Sequence, residues 1–453
     1  MSIYVNRTLN MRKIKALGFD MDYTLVRYNT ENFERLAYYA IIDKLVEKLG
    51  YPEEIKNLKF DFKRMIQGLV INKANGHILK LSLHGRVKTS YFGTTRLEFK
   101  TQQEIYGGRE IELGHPDIVS LDTNFAMSKG ILYGELVEFF KTRTGGPNFA
   151  KLSEDLQAML DRCHQDGTLK NEVRRNISKY IIQDPELPLL MENYKKYGKK
   201  LILITNSDYS YSKLLMEYTF DPFLKDHKSW HDLFDVVITY SCKPRFFTDR
   251  SYFLKIDPAT QTMTNYDGPI THGIYQGGNA GKLQKDLGLK SDEILYLGDH
   301  IYGDVVAIKK TFNWRTSLVF DPLVDELKSI QAVKPLQAEI DRDMQLKNDL
   351  EHRLNDIYAQ KIEQGMAVDQ EDKDDIYQQI DDLNAKISKN IEKYQEAFNP
   401  YWGELMRSGL EESRLAGQVE KYACLYFEKV SDLLRHSPRS YFIPERRVLP
   451  HER

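Results

Sequence analysis

Gly18-Phe19-Asp20-Met21-Asp22-Tyr23-Thr24-Leu25 is the stretch from which the rest of the chain can be read. Ile14, Ala16, Leu17 and Phe19 lead into it as a short apolar run of the length of a buried strand. Successive strand residues face opposite sides, so Asp20 and Asp22 share a side while Met21 points away. Two carboxylates so close repel unless a cation lies between them or one holds a proton. A metal-assisted site at the C-terminal end of a parallel strand is the expectation, and an Asp-rich turn is the plain alternative.

The same signal recurs along the chain. Residues 200–204 form a second apolar run that ends in Thr205-Asn206-Ser207-Asp208. A third, 234–239, leads into Ser241-Cys242-Lys243-Pro244, and a fourth, 293–297, into Gly298-Asp299-His300-Ile301-Tyr302-Gly303-Asp304. A last strand is expected at 316–320, with helices at 210–219 and 279–287 and an irregular polar stretch before 278. Strands alternating with helices predict an α/β fold with a doubly wound parallel sheet. Roughly 170 residues separate its first two strands, far more than a crossover needs, so an α+β cap module is inserted between them. Within it, 31–50 has helical spacing (Leu36, Tyr39, Ile42, Leu45, Val46, Leu49), and Asn75-Gly76 is a hairpin turn between β-prone runs. Helical periodicity returns over 121–143, 151–163 and 170–198, interrupted at Gly145-Gly146-Pro147. Ile376, Ile380, Leu383, Ile387, Ile391, Tyr394 and Phe398 form a heptad-like stripe that pairs with a helix over 330–362 across a polar turn at 364–372. The expected organisation is 1–30 first core strand, 31–189 cap, 190–329 remaining core, 330–400 helical hairpin, and 401–453 packing back on the core.

Bulk properties exclude several classes. A formal net charge of −2 over 453 residues gives no electrostatic reason for a nucleic-acid or membrane partner. Three cysteines without a CxxC pair suggest neither a disulfide framework nor a cysteine zinc site, and Cys242 reads as a small apolar residue. No run approaches the ~18 apolar residues of a membrane helix, and the first residues lack a signal-peptide core, so a cytoplasmic protein is expected. Exposed aromatics and the hairpin make a homo-oligomer, dimer or tetramer, a reasonable expectation.

In an open parallel sheet the carboxyl ends of the strands line one crevice. Asp20, Asp22, Thr205, Asn206, Ser207, Lys243, Asp299 and Asp304 would therefore converge, although they span almost the whole core sequence. Together they offer carboxylates for Mg²⁺, hydroxyl and amide donors for anionic oxygens, and one fixed cation. Phosphoryl transfer needs that set. Singly each has a plainer reading: Thr205-Asn206-Ser207 as a helix cap, Lys243 as a surface lysine, Asp304 as a cap for 305–310, His300 as a loop histidine.

In this order the motifs resemble the haloacid dehalogenase superfamily, and within it the cytosolic purine 5′-nucleotidases that act on IMP and GMP. The likeness rests on Phe19 to Leu25, Thr205-Asn206-Ser207-Asp208-Tyr209, Lys243-Pro244 with Phe246-Phe247, and Gly298 to Asp304. Gly277-Gly278, Trp314-Arg315 and the closing Val448-Leu-Pro-His-Glu452 add to it. The resemblance implies Asp20 as nucleophile through an aspartyl-phosphate, and Asp22 as the acid, then base. To hold a proton near neutral pH Asp22 needs a pKa above ~4, which burial beside other carboxylates would provide. It implies Mg²⁺ on Asp20, the Asp22 carbonyl and Asp299, with Asp304 and Thr24 behind them. Thr205, Asn206 and Ser207 would take phosphate oxygens, and Lys243 would neutralise phosphate and nucleophile.

In the cap, Phe125 falls where the family stacks the purine, and Asp161 where it accepts the N1–H. His164 and Lys170 fall on binding positions, Lys170 near phosphate. Gln157 stands in place of an arginine, and Ala126 in place of an asparagine. Phe125 read without the family is a helix-core residue. Tyr302 and Asp122 replace the phenylalanine and asparagine of the family's effector site, so that site is not carried over. The expectation is a Mg²⁺-dependent hydrolase of purine nucleoside monophosphates, with a nucleoside as a second possible phosphate acceptor. A phosphatase of another small metabolite, a phosphoprotein phosphatase and a non-catalytic scaffold are the alternatives, and the large insertion favours a small enclosed substrate.

Overall fold

The computed structural model describes residues 3–143, 146–365 and 370–445. Gly145, residues 366–369 of the expected polar turn at 364–372 and the closing Val448-Leu-Pro-His-Glu452 lie outside the described residues. The chain divides into two compact units, one of Met1–Asp321 with Met406–Arg453 and one of Pro322–Leu405.

The first unit holds a 10-stranded sheet. Its middle is β1 (Ala16–Phe19), β2 (Lys200–Ile204), β3 (Val236–Thr239), β4 (Gly273–Gly277), β5 (Ile294–Gly298) and β6 (Arg315–Val319). They lie side by side in the order β6-β5-β1-β2-β3-β4, all parallel. β1 is therefore central, flanked by the two strands whose ends carry Thr205-Asn206-Ser207 and Asp299. Five of these six strands coincide with apolar runs, because a strand covered on both faces must be apolar on both. β4 does not, and the polar stretch before 278 is partly sheet rather than wholly irregular. Gly-Ile-Tyr-Gln-Gly has too few apolar residues to signal a strand, but pairing between β3 and the antiparallel Phe253–Ile256 satisfies its backbone on both sides.

The cap lies between β1 and β2. A 5-stranded antiparallel sheet (69–72, 77–81, 87–92, 95–96, 118–121) packs with helices α1 (Thr30–Leu49), α2 (Met127–Phe140) and α3 (Phe149–Gln165). α1 begins where the Asn29 side chain accepts the Asn32 N–H and stops at Gly50, whose φ of 68° suits glycine. Its buried face is Phe33, Glu34, Ala37, Tyr38, Ile41, Ile42 and Leu45, so the stripe read from the sequence was rotated: Tyr39 and Leu49 are exposed. The helical reading of 121–143 and 170–198 is likewise broken by short strands at Ile118–Leu121 and Ile181–Ile182, the latter paired with Arg27–Tyr28.

Glu34 ties α1 to α2. Its carboxyl is fully buried, accepts the Ser128 N–H at 2.7 Å in the first turn of α2, and leaves Oε1 without a partner among the described residues. Burial raises its pKa to about 8. The second unit is an antiparallel pair of long helices, α4 (Leu323–Gln364) and α5 (Gln370–Glu396), with Leu354, Ile376 and Ile380 buried between them.

The pKa of Glu34 rises from 4.5 in the unfolded chain to about 8 in the fold. The folded state thus holds an extra proton between those values, and stability must fall as pH rises across that window. Glu34→Gln removes this dependence. Urea denaturation should show the variant gaining on the wild type from pH 5 to pH 8, by at most on the order of 4 kcal/mol.

Candidate active site

β1 delivers Asp20 to the carboxyl edge of the sheet, and the Asp20 N–H donates to Leu297 O of β5 at 2.9 Å. The chain then turns sharply: Tyr23 has φ 57°, and the N–H groups of Thr24, Leu25 and Val26 all converge on Met21 O. Lys243 reaches in from the end of β3. Its Nζ lies 2.7 Å from Asp20 Oδ1, 2.8 Å from Asp304 Oδ1 and 3.1 Å from the Tyr296 hydroxyl. Asp20, Asp299 and Asp304 form a group whose carboxylate oxygens lie within 4.8 Å of one another.

Three buried carboxyls against one ammonium leave surplus negative charge in a poorly solvated place. Burial, opposed by Lys243 and reinforced by Asp304 and Asp22, raises Asp20 to about 7. Burial, with Asp20 and Asp304 beside it, pushes Asp299 well above the usual carboxyl range. Asp299 Oδ2 is buried with no hydrogen-bond partner among the described residues. An orphaned oxygen among three convergent carboxyls is the donor set of a hard divalent cation such as Mg²⁺, so these residues fit that ion.

Asp22 stands apart from this group. Its Oδ1 accepts the Tyr28 hydroxyl at 2.6 Å and its Oδ2 the Ser207 hydroxyl at 2.8 Å, with Tyr211 behind Tyr28 at 3.2 Å. Burial raises its pKa, although both hydroxyl donors favour the ionised form. The neighbours of Asp22 are thus hydroxyls rather than the expected carboxylates, and desolvation does the lifting.

Side chains after β2 are also engaged within the protein. Thr205 Oγ1 accepts the Ser207 N–H. Asn206 holds the β3 loop, accepting from Lys243 N at 2.6 Å and from the Ser241 hydroxyl while donating to Lys243 O. Asn206 therefore holds the Lys243 backbone in place while it also lines the cavity described below. The helix cap here is Asp208, which accepts the Tyr211 N–H and pairs with Lys170. Thr24 Oγ1 is buried without a partner among the described residues. His300 accepts the Gly303 N–H and its own N–H donates to Asp304 Oδ2.

A cavity of about 600 Å³ runs from Asp22, Asn206 and Ser207 into the cap. Phe125 lines it, packed edge-on against Tyr23, Phe33 and His164, so it is both a cavity wall and part of an aromatic cluster. Burial, with Lys170 nearby, lowers His164 to about 4, so the imidazole is neutral at pH 7. Gln157, Asp161 and Lys170 line the same cavity. So does Lys129, which the sequence reading passed over inside an apolar helix.

A sequence profile of the 5′ nucleotidase family matches residues 3–453. The chain belongs to the 5′ nucleotidase family. It is 25% identical over 460 residues to a 5′-nucleotidase domain-containing protein of Dictyostelium discoideum, covering 99% of this chain and 74% of that one. It is also 25% identical over 464 residues to 5′-nucleotidase domain-containing protein 2 of Homo sapiens, covering 100% and 85%. Among solved structures it is similar to a HAD phosphatase from Thermococcus onnurineus (TM-score 0.26, 15% identity, 68% of this chain and 87% of that one). CbbY from Rhodobacter sphaeroides in complex with phosphate gives 0.25 and 12%, covering 68% and 86%. As a member of the family the chain is a phosphoric monoester hydrolase. Among the described residues no helix is long and apolar enough to cross a membrane.

Gly298 shows how closely the core holds the polar centre. A Cβ there would lie 2.5 Å from Asp304 Cγ and Oδ2. Gly298→Ala should push Asp304 off Lys243 and lower p-nitrophenyl phosphate hydrolysis about 100-fold, the scale of a 1 Å misplacement. Circular dichroism of the variant should still show a folded protein.

Proposed function

We propose that this chain is a Mg²⁺-dependent 5′-nucleotidase that hydrolyses purine nucleoside 5′-monophosphates of the IMP and GMP type through an aspartyl-phosphate on Asp20. The observation that carries this reading is the convergence of Asp20, Asp299 and Asp304 on one point, with Lys243 bridging two of them and Asp299 Oδ2 left without a partner among the described residues.

Asp20, Asp299 and the Asp22 carbonyl would hold Mg²⁺, with Asp304 close behind. Bound there, the ion supplies charge neutralisation for the transferring phosphoryl group. Asp20 attacks phosphorus as the bond to the 5′-oxygen breaks, and Lys243 keeps the nucleophile in place and ionised. Asp22 gives its proton to the departing 5′-oxygen. It then takes one from water, whose oxygen attacks phosphorus, releasing phosphate and regenerating Asp20. The hydroxyls of Tyr28 and Ser207 orient Asp22 for both halves. A nucleoside hydroxyl reaching the intermediate in place of water would give phosphotransfer. Phe125 and neutral His164 supply apolar walls for a base, and Asp161 an acceptor for its N1–H. The enclosing cap favours a small substrate over a phosphoprotein; another small phosphomonoester is the alternative.

Asp20→Asn should lower turnover of IMP and GMP at least ~10⁴-fold, while circular dichroism still shows a folded protein. Chelation of divalent cations should abolish activity in the wild type, with restoration by added Mg²⁺. Full activity in either case would overturn the mechanism. Assays with IMP, GMP, AMP, CMP and sugar phosphates locate the substrate class, and a sugar phosphate outperforming every nucleotide would favour the alternative.

A further inference from the structure

At the far end of the cavity three polar side chains form a chain. Lys129 Nζ donates to Gln157 Oε1 at 2.7 Å, and Gln157 Nε2 donates to Asp161 Oδ1 at 2.8 Å. Gln157 and Asp161 stand one turn apart on α3 and are exposed, so left to themselves they would sample several rotamers and both amide orientations. Lys129 is different. It projects from α2 one turn after Phe125, is 5% exposed, and lies close to Asp122 and Asp161. Burial lowers its pKa to about 8, with the two aspartates opposing, which still leaves it largely charged at pH 7.

We propose that Lys129 sets the base preference of this pocket by locking the Gln157 amide, so that Gln157 and Asp161 present a hydrogen-bond donor beside an acceptor. An ammonium has only donors, so Gln157 must turn its carbonyl to Lys129 and its NH₂ to Asp161. Those two bonds leave the second N–H of Gln157 and Oδ2 of Asp161 for a ligand. A C=O beside an N–H complements that pair. Hypoxanthine and guanine carry this amide edge at O6 and N1–H, and uracil carries it at O4 and N3–H. Adenine and cytosine present an amino group beside a bare ring nitrogen, so donor faces donor and acceptor faces acceptor. The site therefore sorts bases by oxo against amino, whatever the ring size. Lys129 acts through Gln157 and is a positioning residue for that choice.

This inference rests on the nucleotidase reading, and the test separates the two. The kcat/KM ratios of IMP to AMP and of UMP to CMP are measured for the wild type, Lys129→Met and Lys129→Arg, with p-nitrophenyl phosphate as a base-free substrate. In the wild type each ratio should be about 10- to 100-fold, the discrimination of one or two reversed hydrogen bonds. Lys129→Met keeps the length and packing of the side chain but removes the bond that holds the Gln157 carbonyl, and should lower both ratios several-fold, to the part that the Asp161 carboxylate supports alone. Lys129→Arg, also donor-only, should keep them. A merely structural role would lower oxo and amino substrates alike and leave the ratios unchanged. Ratios retained in Lys129→Met, or a wild type that prefers amino bases, overturn the inference and leave nucleotide hydrolysis standing. A wild type that cleaves p-nitrophenyl phosphate and no nucleotide overturns the nucleotidase reading itself.

Discussion

The ammonium of Lys243, buried between Asp20 and Asp304, is the interaction on which the first unit depends. A charge taken out of water costs several kcal/mol unless it is paired and hydrogen-bonded, and a lone lysine here would not stay charged. Its surroundings are built to prevent that. Asn206 clamps its backbone from both sides, and the Tyr296 hydroxyl meets its Nζ while donating to Ile204 O. Gly298 has no Cβ where Asp304 must pack. Even so, three carboxyls exceed one ammonium. The polypeptide stops short of balance, as a site assembled for a further cation and for a group that carries charge during reaction would do.

Core and cap contribute different things, and an aromatic cluster joins them. Tyr23 and Tyr28, in the turn after Asp22, stack on each other, and both touch Phe125 at the start of α2. Tyr28 simultaneously donates to Asp22. The ring that walls the cavity and the hydroxyl that donates to Asp22 therefore belong to one packed group, and Glu34 ties the helix that follows Phe125 to α1 through the Ser128 N–H.

Legibility in the sequence followed physical cause. Five core strands could be read because burial on both faces demands unbroken apolar runs, and the strand ends could be read because the same residue types recur where those runs stop. β4 escaped because pairing, not composition, makes it a strand. The buried face of α1 was misread because its eleven apolar positions admit two stripes, and only contact with the cap helices selects one. Tyr28 and Tyr211 escaped because nothing local distinguishes a tyrosine that donates to a carboxylate from one that fills space.

The sequence alone determined the order of the polar strand ends, the size of the insertion and the presence of a carboxylate-rich centre with one lysine, since these follow from residue type and spacing along the chain. Tertiary structure decided the partners. Asp304 joined Asp20 and Asp299, Asp22 went to hydroxyls, Asn206 turned inward to Lys243, and Lys129 left an apolar helix to hold Gln157. Hydrogen-bond geometry has a reach of about 3 Å. No regularity along a strand or helix reports which residue from a distant segment will be brought within it.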